Sequence, residues 1–579
     1  MAPRAVVAVS VVVVSLGVMW SSAAGAAQHA EPARGSEPLG ATVPGPPAPI
    51  DRGEAIEHRP TAQQLRRAEQ LSDDPRQALA QPVQSIRPAS AAGSVREARP
   101  VRLTNDGAWT WYSDPRVLET SRATYFAYVT RGGSVMLTSL STTDARMETT
   151  TLSRYQLRDD HNVPALVETA DGRVAAFWGG HGEAPVQYRV SGPQGAISSM
   201  SSVRRLKGSG MEGVTTTYVQ AFRMRGVSNQ YHLLTRRHSD QNWVLTTSKD
   251  LVTWTRPVQL FKNSDTVDRT WPYLEAASAG WKVMHLAVSD GHPAQDPDNS
   301  LYHFTFDAQT KELRTSDGRA VARPAYPRSG TLVYDGRSLD GRVRVYDLAL
   351  RGGRPTVAFT TVDRDPATAG YTYKWSTLWG STWRTRTVAR QETYPEGIAL
   401  DSGDATRAYV VTRAGTQSQL SELTTADGGV TWRARPVAVQ EGGQRTPTTP
   451  FGSGGQYSVM WMAGVYADWT DFSTSLVGES TGPAPIHLAA SWPGNWASGG
   501  GVSARIRAGI GGPDLEGVRA WLLVKKPGQP QELTRSATTD ASGTVRFAVN
   551  RYYPKGTTVW VFAPAAGDWG AGKSQGMRT

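Results

Sequence analysis

The sequence contains no cysteine. That absence excludes disulfide staples, thiolate zinc sites, iron–sulfur clusters and cysteine nucleophiles. Long apolar runs are also missing, with one exception, Ala5–Trp20, which follows the basic start Met1–Arg4. The run is short for a transmembrane helix, and Ala24-Gly25-Ala26 supplies small residues for cleavage. Residues 1–26 therefore read as a secretory signal peptide. No Asn-x-Ser/Thr sequon occurs. Export without cysteines or sequons fits a bacterial secreted, extracellular protein, with no membrane partner once the signal is cleaved. Signals for helices are few. The chain instead holds 58 Gly, 36 Pro and 19 Trp in 579 residues, a composition of short strands and many turns. The formal net charge of +11 favours an acidic partner.

Residues 27–100 are rich in Pro, Ala and Arg, with few aromatics. They read as a disordered linker or pro-segment, with one helix near Ala62–Leu71. From Trp109 onward the pattern is hairpins. Their centres fall near Thr120-Ser121, Asp171, Gly226, Ala279-Gly280, Gly352-Gly353, Ser402-Gly403 and Gly454-Gly455. A spacing of roughly 50 residues, with one longer step after the fourth, is the signature of a β-propeller. The expectation is an all-β chain with a seven-bladed β-propeller over residues 101–480. Thr425-Ala426-Asp427-Gly428-Gly429-Val430-Thr431-Trp432 fits an Asp-box, and Ser248–Trp254 is a shorter version. Ser376–Trp383 keeps Gly380, Thr382 and Trp383 but has Leu378 where the Asp belongs. In such a box the Asp caps a turn and the Trp packs between strands. Beyond Gly482, short alternating runs at Ile486–Ala490, Val502–Ala508, Val518–Val524, Gln531–Arg535, Gly543–Val549 and Thr557–Phe562 predict an Ig-like β-sandwich over 484–579.

Hairpin geometry nominates the chemistry. Residues equidistant from a turn face each other, so His161 and His181, equidistant from Asp171, meet at one rim. Tyr218 and Arg236, equidistant from Val227, meet at the same rim of the next blade. Arg269 and His292 flank Gly280 in a similar way, and Tyr394 and Arg413 flank Gly403. Two His, a Tyr and several Arg with few carboxylates do not suit two-carboxylate glycoside hydrolysis. They suit an anionic sugar: Arg clamps a carboxylate, a neutral His takes a proton, and a Tyr gives one to a leaving oxygen. That is β-elimination at a uronic acid.

Asp159-Asp160-His161-Asn162-Val163-Pro164-Ala165 with Gly180-His181 resembles the second-blade signature of the BNR-4 repeat group. Ser289-Asp290-Gly291-His292-Pro293, followed by Asn299–His303, resembles its fourth blade, and Met460–Tyr466 its last. The resemblance implies a seven-bladed propeller. It also implies kinship with ulvan lyases and with enzymes that release rhamnose from a rhamnosyl-glucuronate linkage. It maps the lyase catalytic set onto His161, His181, Tyr218 and Arg236, with Asn162, Arg269, Tyr273, His292, Tyr394 and Arg413 as substrate-binding candidates. Some members hold a structural calcium or zinc, for which Asp290 and His292 are potential ligands. No cofactor is required by this chemistry.

Two look-alikes are set aside. Gly567–Ser574 matches a P-loop letter for letter, but only five residues follow, too few for the helix that phosphate binding needs. The Asp-boxes also occur in sialidases, but no Arg-Ile-Pro element is present. Nucleic acid is not an expected partner, because no clustered basic helix is seen. The leading expectation is a secreted polysaccharide lyase acting on a uronate-containing glycan. The alternatives are an α-L-rhamnosidase-type hydrolase using the same rim and a non-catalytic carbohydrate-binding propeller.

Overall fold

The computed structural model describes residues 99–579, except 144–145, 155–156, 263–270, 294–295, 297, 338–340, 363–369, 453–455, 482–484, 493–500, 511, 549–552, 565–568 and 575. The expected signal peptide, the expected linker up to residue 98 and the turn at Gly454-Gly455 lie outside the described residues. Among the described residues the chain is all-β, with four 3-10 turns and no α-helix. None of its helical segments is long and apolar enough to cross a membrane.

Seven antiparallel sheets follow one another along the chain. The first contains Val117–Glu119, Ala123–Val129, Ser134–Ser141 and Met147–Arg154. The second contains Ala165–Glu168, Val174–Trp178, Gln187–Val190 and Arg204–Arg205, and the third Thr216–Arg223, Tyr231–Arg237, Trp243–Ser248 and Val258–Gln259. The fourth begins with Leu274–Ser278, Val283–Ser289 and Leu301–Asp307. It carries three further strands, Glu312–Arg314, Ala320–Val321 and Thr331–Tyr334, and this insertion accounts for the longer step in the repeat. The fifth contains Val343–Arg351, Arg354–Val362, Tyr371–Trp379 and Thr382–Gln391, and the sixth Ile398–Leu400, Arg407–Ala414, Gln417–Thr424 and Arg433–Glu441. The seventh has Gly443–Thr448, Tyr457–Asp468 and Asp471–Ser480, and its fourth strand is Arg99–Thr104 from the start of the described chain. That strand begins two residues inside the stretch expected to be linker.

The first strands of these sheets adjoin in sequence order. Leu166 N donates to Pro115 O at 2.8 Å, joining the first sheet to the second. The Gln220 side chain bonds Leu274 O (2.8 Å) and Ala276 N (3.0 Å), joining the third to the fourth. Leu400 N donates to Asp347 Oδ2 at 2.7 Å, joining the fifth to the sixth. Phe451 N donates to Val117 O at 2.9 Å, so the seventh returns to the first. Central strands are covered on both faces, so Ala123–Val129 is buried at every position, whereas outer Thr382–Gln391 is largely exposed. Buried indoles pin one sheet to the next: Trp109 Nε1 bonds Thr446 O, Trp243 Nε1 bonds Pro272 O, and Trp375 Nε1 bonds Ala405 O.

Both Asp-boxes form as turns between the third and fourth strands of their sheets. Asp427 Oδ1 accepts from Thr431 N at 2.9 Å, and Asp250 Oδ1 accepts from Val252 N and Thr253 N at 2.9 and 3.0 Å. The stretch Ser376–Trp383 corrects the third expectation. With Leu378 in place of the capping Asp, pairing continues to Trp379↔Thr382, and a tight turn at Gly380 (φ 63°) replaces the box.

Beyond the seventh sheet, Ile486–Ser491, Gly501–Ala508 and Thr544–Ala548 form one sheet. Gln531–Thr538, Arg519–Lys525, Thr558–Ala563 and two short strands form another. Val502, Ile506, Leu522, Val545, Phe547, Val559 and Val561 make a common core. Gly572–Lys573, within the P-loop look-alike, is a strand paired with Phe562 and Ala563.

Candidate active site

The Asp-Asp-His-Asn stretch forms a single 3-10 turn, Asp160–Asn162, just ahead of the second sheet. Asp159 caps it by accepting His161 N at 2.9 Å. Its side chain then does a second task. His161 Nδ1 lies 2.8 Å from Asp159 Oδ1, and His181 Nδ1 lies 3.1 Å from Oδ2. A carboxylate only accepts, so both Nδ1 atoms carry their protons and a neutral ring presents Nε2 as its lone pair. The imidazoles stack, with centroids 3.8 Å apart and planes at 12°. His181 arrives from the end of Val174–Trp178 through Gly179-Gly180, and Gly182 (φ 100°) turns the chain away under His238. A Cβ on Gly182 would come within 2.3 Å of His238 Nδ1, so only glycine fits.

Burial tends to raise the Asp159 carboxyl, but the charge of His161 and the hydrogen bonds from both rings outweigh it and hold the group well below the usual range. Asp160 moves the other way. Burial pushes it up and the Asp159 charge adds, against the bonds from His161 and Tyr466. Tyr466 Oη donates to Asp160 Oδ2 at 2.6 Å.

Tyr218 sits in the third sheet at a break in register. Thr217 pairs with Arg236 and Val219 with Thr235, leaving Tyr218 as the bulged residue at φ 61°. A tyrosine held in the left-handed region is strained, a condition that collects at functional sites. Its ring lies 5.4 Å from His161. The Arg236 guanidinium lies 4.8 Å from the centroids of both Tyr218 and Tyr273. Arg236 is 2% exposed, and its Nε and Nη1 find no hydrogen-bond partner among the described residues. The same holds for both side-chain polar atoms of buried Asn162, and for the hydroxyls of Thr216 and Thr217. Buried polar atoms are rarely left unmatched, and these belong to residues beside or near His161 and Tyr218 along the chain or across the strand pair.

The structure therefore brings together His161, His181, Asn162, Tyr218, Arg236, Tyr273 and His292, the last through an edge contact with Tyr273 at 5.4 Å. Arg269 lies outside the described residues. Arg413 stands on the sixth sheet and Tyr394 in the connection just ahead of it, in a different set. Arg413 pairs with Glu396 at 2.5 Å, and Arg344 lies 5.3 Å from the Tyr394 ring. Burial pushes the Glu396 carboxyl up, against the charges of Arg445 and Arg413. Contacts carry this set back to the histidines: Arg445 lies over Tyr466 at 4.3 Å, and Tyr466 holds Asp160.

Sequence reasoning missed three neighbours. Asp159 was quoted only as part of a signature, and its place two residues before His161 was the available signal. His238 lies beside His181, and burial lowers its pKa, with the charges of His181 and Arg236 adding to the shift. Trp469 comes from the tip of the Tyr457–Asp468 hairpin, and nothing in its sequence neighbourhood signalled a site. Its indole meets His161 at 6.4 Å and 89°, and His181 at 5.9 Å and 81°.

Asp159, His161 and His181 also form a group with one carboxylate oxygen and two ring nitrogens close enough to hold a metal ion. The donor types suit zinc, but His161 Nδ1 already faces the Asp159 and Asp160 carboxylates and His181 Nδ1 faces Asp159. Asp290 and His292 do not belong to such a three-ligand group among the described residues. Asp290 Oδ1 instead accepts Ser300 N at 2.6 Å.

No curated protein matches the sequence. Among solved structures, the chain is similar to a PL25 ulvan lyase bound to -[GlcA(1-4)Rha3S]-, with TM-score 0.55 and 16% identity, covering 66% of this chain and 95% of that one. A second structure of a PL25 ulvan lyase gives TM-score 0.55 and 17% identity over 66% and 96% of the two chains. A GH93 α-L-arabinofuranosidase of Fusarium graminearum gives TM-score 0.36 and 12% identity over 65% and 98%, too low a score to weigh. The lyase similarity bears on the fold alone. Residues 123–391 match the model of the family described as BNR repeat-containing family member, the group that the sequence signatures resemble.

Proposed function

We propose that the seven sheets are the blades of a seven-bladed β-propeller, that the two C-terminal sheets are an Ig-like sandwich, and that the protein is a secreted polysaccharide lyase. Its substrate is an acidic glycan containing a uronic acid, ulvan-like or with a rhamnosyl-glucuronate linkage. One observation carries the reading: two stacked imidazoles share the Asp159 carboxylate beside a buried arginine that lacks its full set of partners.

The chemistry follows from those groups. Arg236 takes the uronate carboxylate, which lowers the cost of negative charge developing at C5. The Nε2 lone pair of His181 removes the C5 proton, and we assign the base to His181 because it retains some exposure while the His161 side chain has none. The electron pair forms the C4–C5 double bond, the bond from C4 to the glycosidic oxygen breaks, and the Tyr218 hydroxyl gives that oxygen its proton. His161, fixed by Asp159, supports the charge on the carboxylate side. Burial of the set strengthens every charge interaction in it. The chemistry requires no metal.

The test is absorbance at the unsaturated-uronate band during incubation with ulvan and with gum arabic. It is run beside a His161→Ala, His181→Ala double variant. A rise that the variant lacks supports elimination at this site. Rhamnose release without the absorbance rise replaces it with hydrolysis. Glycan binding by both proteins without product makes the propeller a binding module.

A further inference from the structure

We infer that Trp469 is the sugar-stacking platform of this site, holding a pyranose ring against the two imidazole edges. The inference rests on the glycan-lyase reading and adds the residue that positions the substrate. A ring lying on the stacking axis of two imidazoles 3.8 Å apart would be much nearer one than the other. The Trp469 centroid is almost equally far from both, at 6.4 and 5.9 Å, and nearly perpendicular to each. It therefore stands beside the stack and spans the edges of both rings. Asp159 already takes the Nδ1 edge. The indole walls another side, and it is only partly buried, so part of its surface remains for a ligand.

The tip is also pre-organised. Asp468 Oδ1 accepts Thr470 N, Thr470 Oγ1 and Asp471 N at 2.7 to 2.8 Å. Trp469 O accepts Asp160 N at 3.0 Å, and Arg158 bonds Asp471 at 2.9 Å and Phe472 O at 2.5 Å. These bonds tie the hairpin of the seventh sheet to the turn that carries His161. An aromatic face held rigidly beside a proton acceptor suits the apolar C–H face of a pyranose, and little ordering remains to be done on binding.

The experiment measures steady-state elimination on ulvan oligosaccharides, and binding of the same oligosaccharides by calorimetry, for wild type, Trp469→Ala and Trp469→Phe. The expected result for Trp469→Ala is a KM raised at least tenfold with kcat within about threefold, because uniform binding is lost. Trp469→Phe restores most of it. An unchanged KM overturns the inference. So does a fall in kcat alone that Phe does not rescue, which marks a purely structural role. If wild type makes no unsaturated product, the lyase reading fails and calorimetry decides the platform separately. Weaker binding by Trp469→Ala then supports it, whereas equal binding, or none by wild type, overturns it.

Discussion

Asp159→Asn is the perturbation on which the mechanism turns. The carboxylate accepts one Nδ1–H on each oxygen, at 2.8 and 3.1 Å. An Asn side chain keeps one acceptor and turns an N–H₂ towards the other ring, which must move its proton to Nε2 or swing away. Two charge-assisted hydrogen bonds at about 1.5–3 kcal/mol each set the scale. At about 1.4 kcal/mol per decade, kcat falls on the order of 10²- to 10⁴-fold. KM is expected to change little, because both Asp159 oxygens are taken up by the imidazoles. The assay is unsaturated-uronate absorbance at saturating substrate, with circular dichroism to verify the fold. The sign of the stability effect follows from linkage. The folded carboxyl lies below its unfolded value of about 3.9, so its contribution is present above that pH and is lost as pH falls through the folded value. Asp159→Asn is therefore less stable than wild type at pH 7, and the gap narrows below about pH 4. A variant with kcat within threefold of wild type and intact melting refutes the shared-carboxylate argument.

Three further outcomes are expected. Arg236→Met removes a buried cation that two tyrosine faces hold but that lacks partners for Nε and Nη1. Its melting temperature rises by about 1–3 °C while kcat/KM drops at least a hundredfold, and a fall in melting temperature contradicts this. Asp347 is partly buried, and desolvation together with the Asp114 charge raises its pKa to about 7. Its folded value exceeds the unfolded one, so it costs stability progressively as pH climbs from about 4 to 7, on the order of a few kcal/mol in all. Asp347→Asn therefore gains on wild type as pH rises from 5 to 8 in urea titrations, and a pH-independent difference counts against the assignment. Asp427→Ala removes the turn cap that receives Thr431 N. It lowers the melting temperature by about 1–3 °C and leaves elimination rates unchanged, and any loss of activity would mean the box is more than a strut.

The repeat was legible because its signals are local. Val163–Trp178, with Ala170-Asp171-Gly172 between its arms, is a hairpin whose two strands alternate, and the chain pairs Ala165↔Phe177 as that pattern requires. The facing of His161 and His181 followed from the same arithmetic. Tyr218 was harder. It approaches Arg236 only through a bulge, where Thr217 takes the direct pairing, and no residue near Tyr218 announces a break in register. The third Asp-box misled because Gly380, Thr382 and Trp383 also suit a tight hairpin, and the missing Asp decided between the two. Trp469 was invisible for a different reason. Its contact with His161 spans three hundred residues of sequence, and only closure of the seventh sheet against the first brings the two together.

That closure couples the site to the chain's first described strand. Arg99–Thr104 pairs with Asp471–Ser480, which pairs with Tyr457–Asp468, and the turn between those two strands carries Trp469. The same hairpin places Tyr466 on Asp160, and Asp160 is the neighbour of both Asp159 and His161. The two imidazoles thus belong to the second sheet by covalent position but are held in part from the seventh. Loosening of the closing strand would free the hairpin, remove the Tyr466 bond from a buried carboxyl and release the backbone bond from Asp160 N to Trp469 O. A buried Asp160 stripped of a donor is costly, so the docking of the seventh sheet's hairpin and the geometry of the histidine pair stabilise each other. Activity should therefore be lost before the sheets themselves melt on heating, when both are followed together, because the site depends on contacts from the hairpin of the seventh sheet.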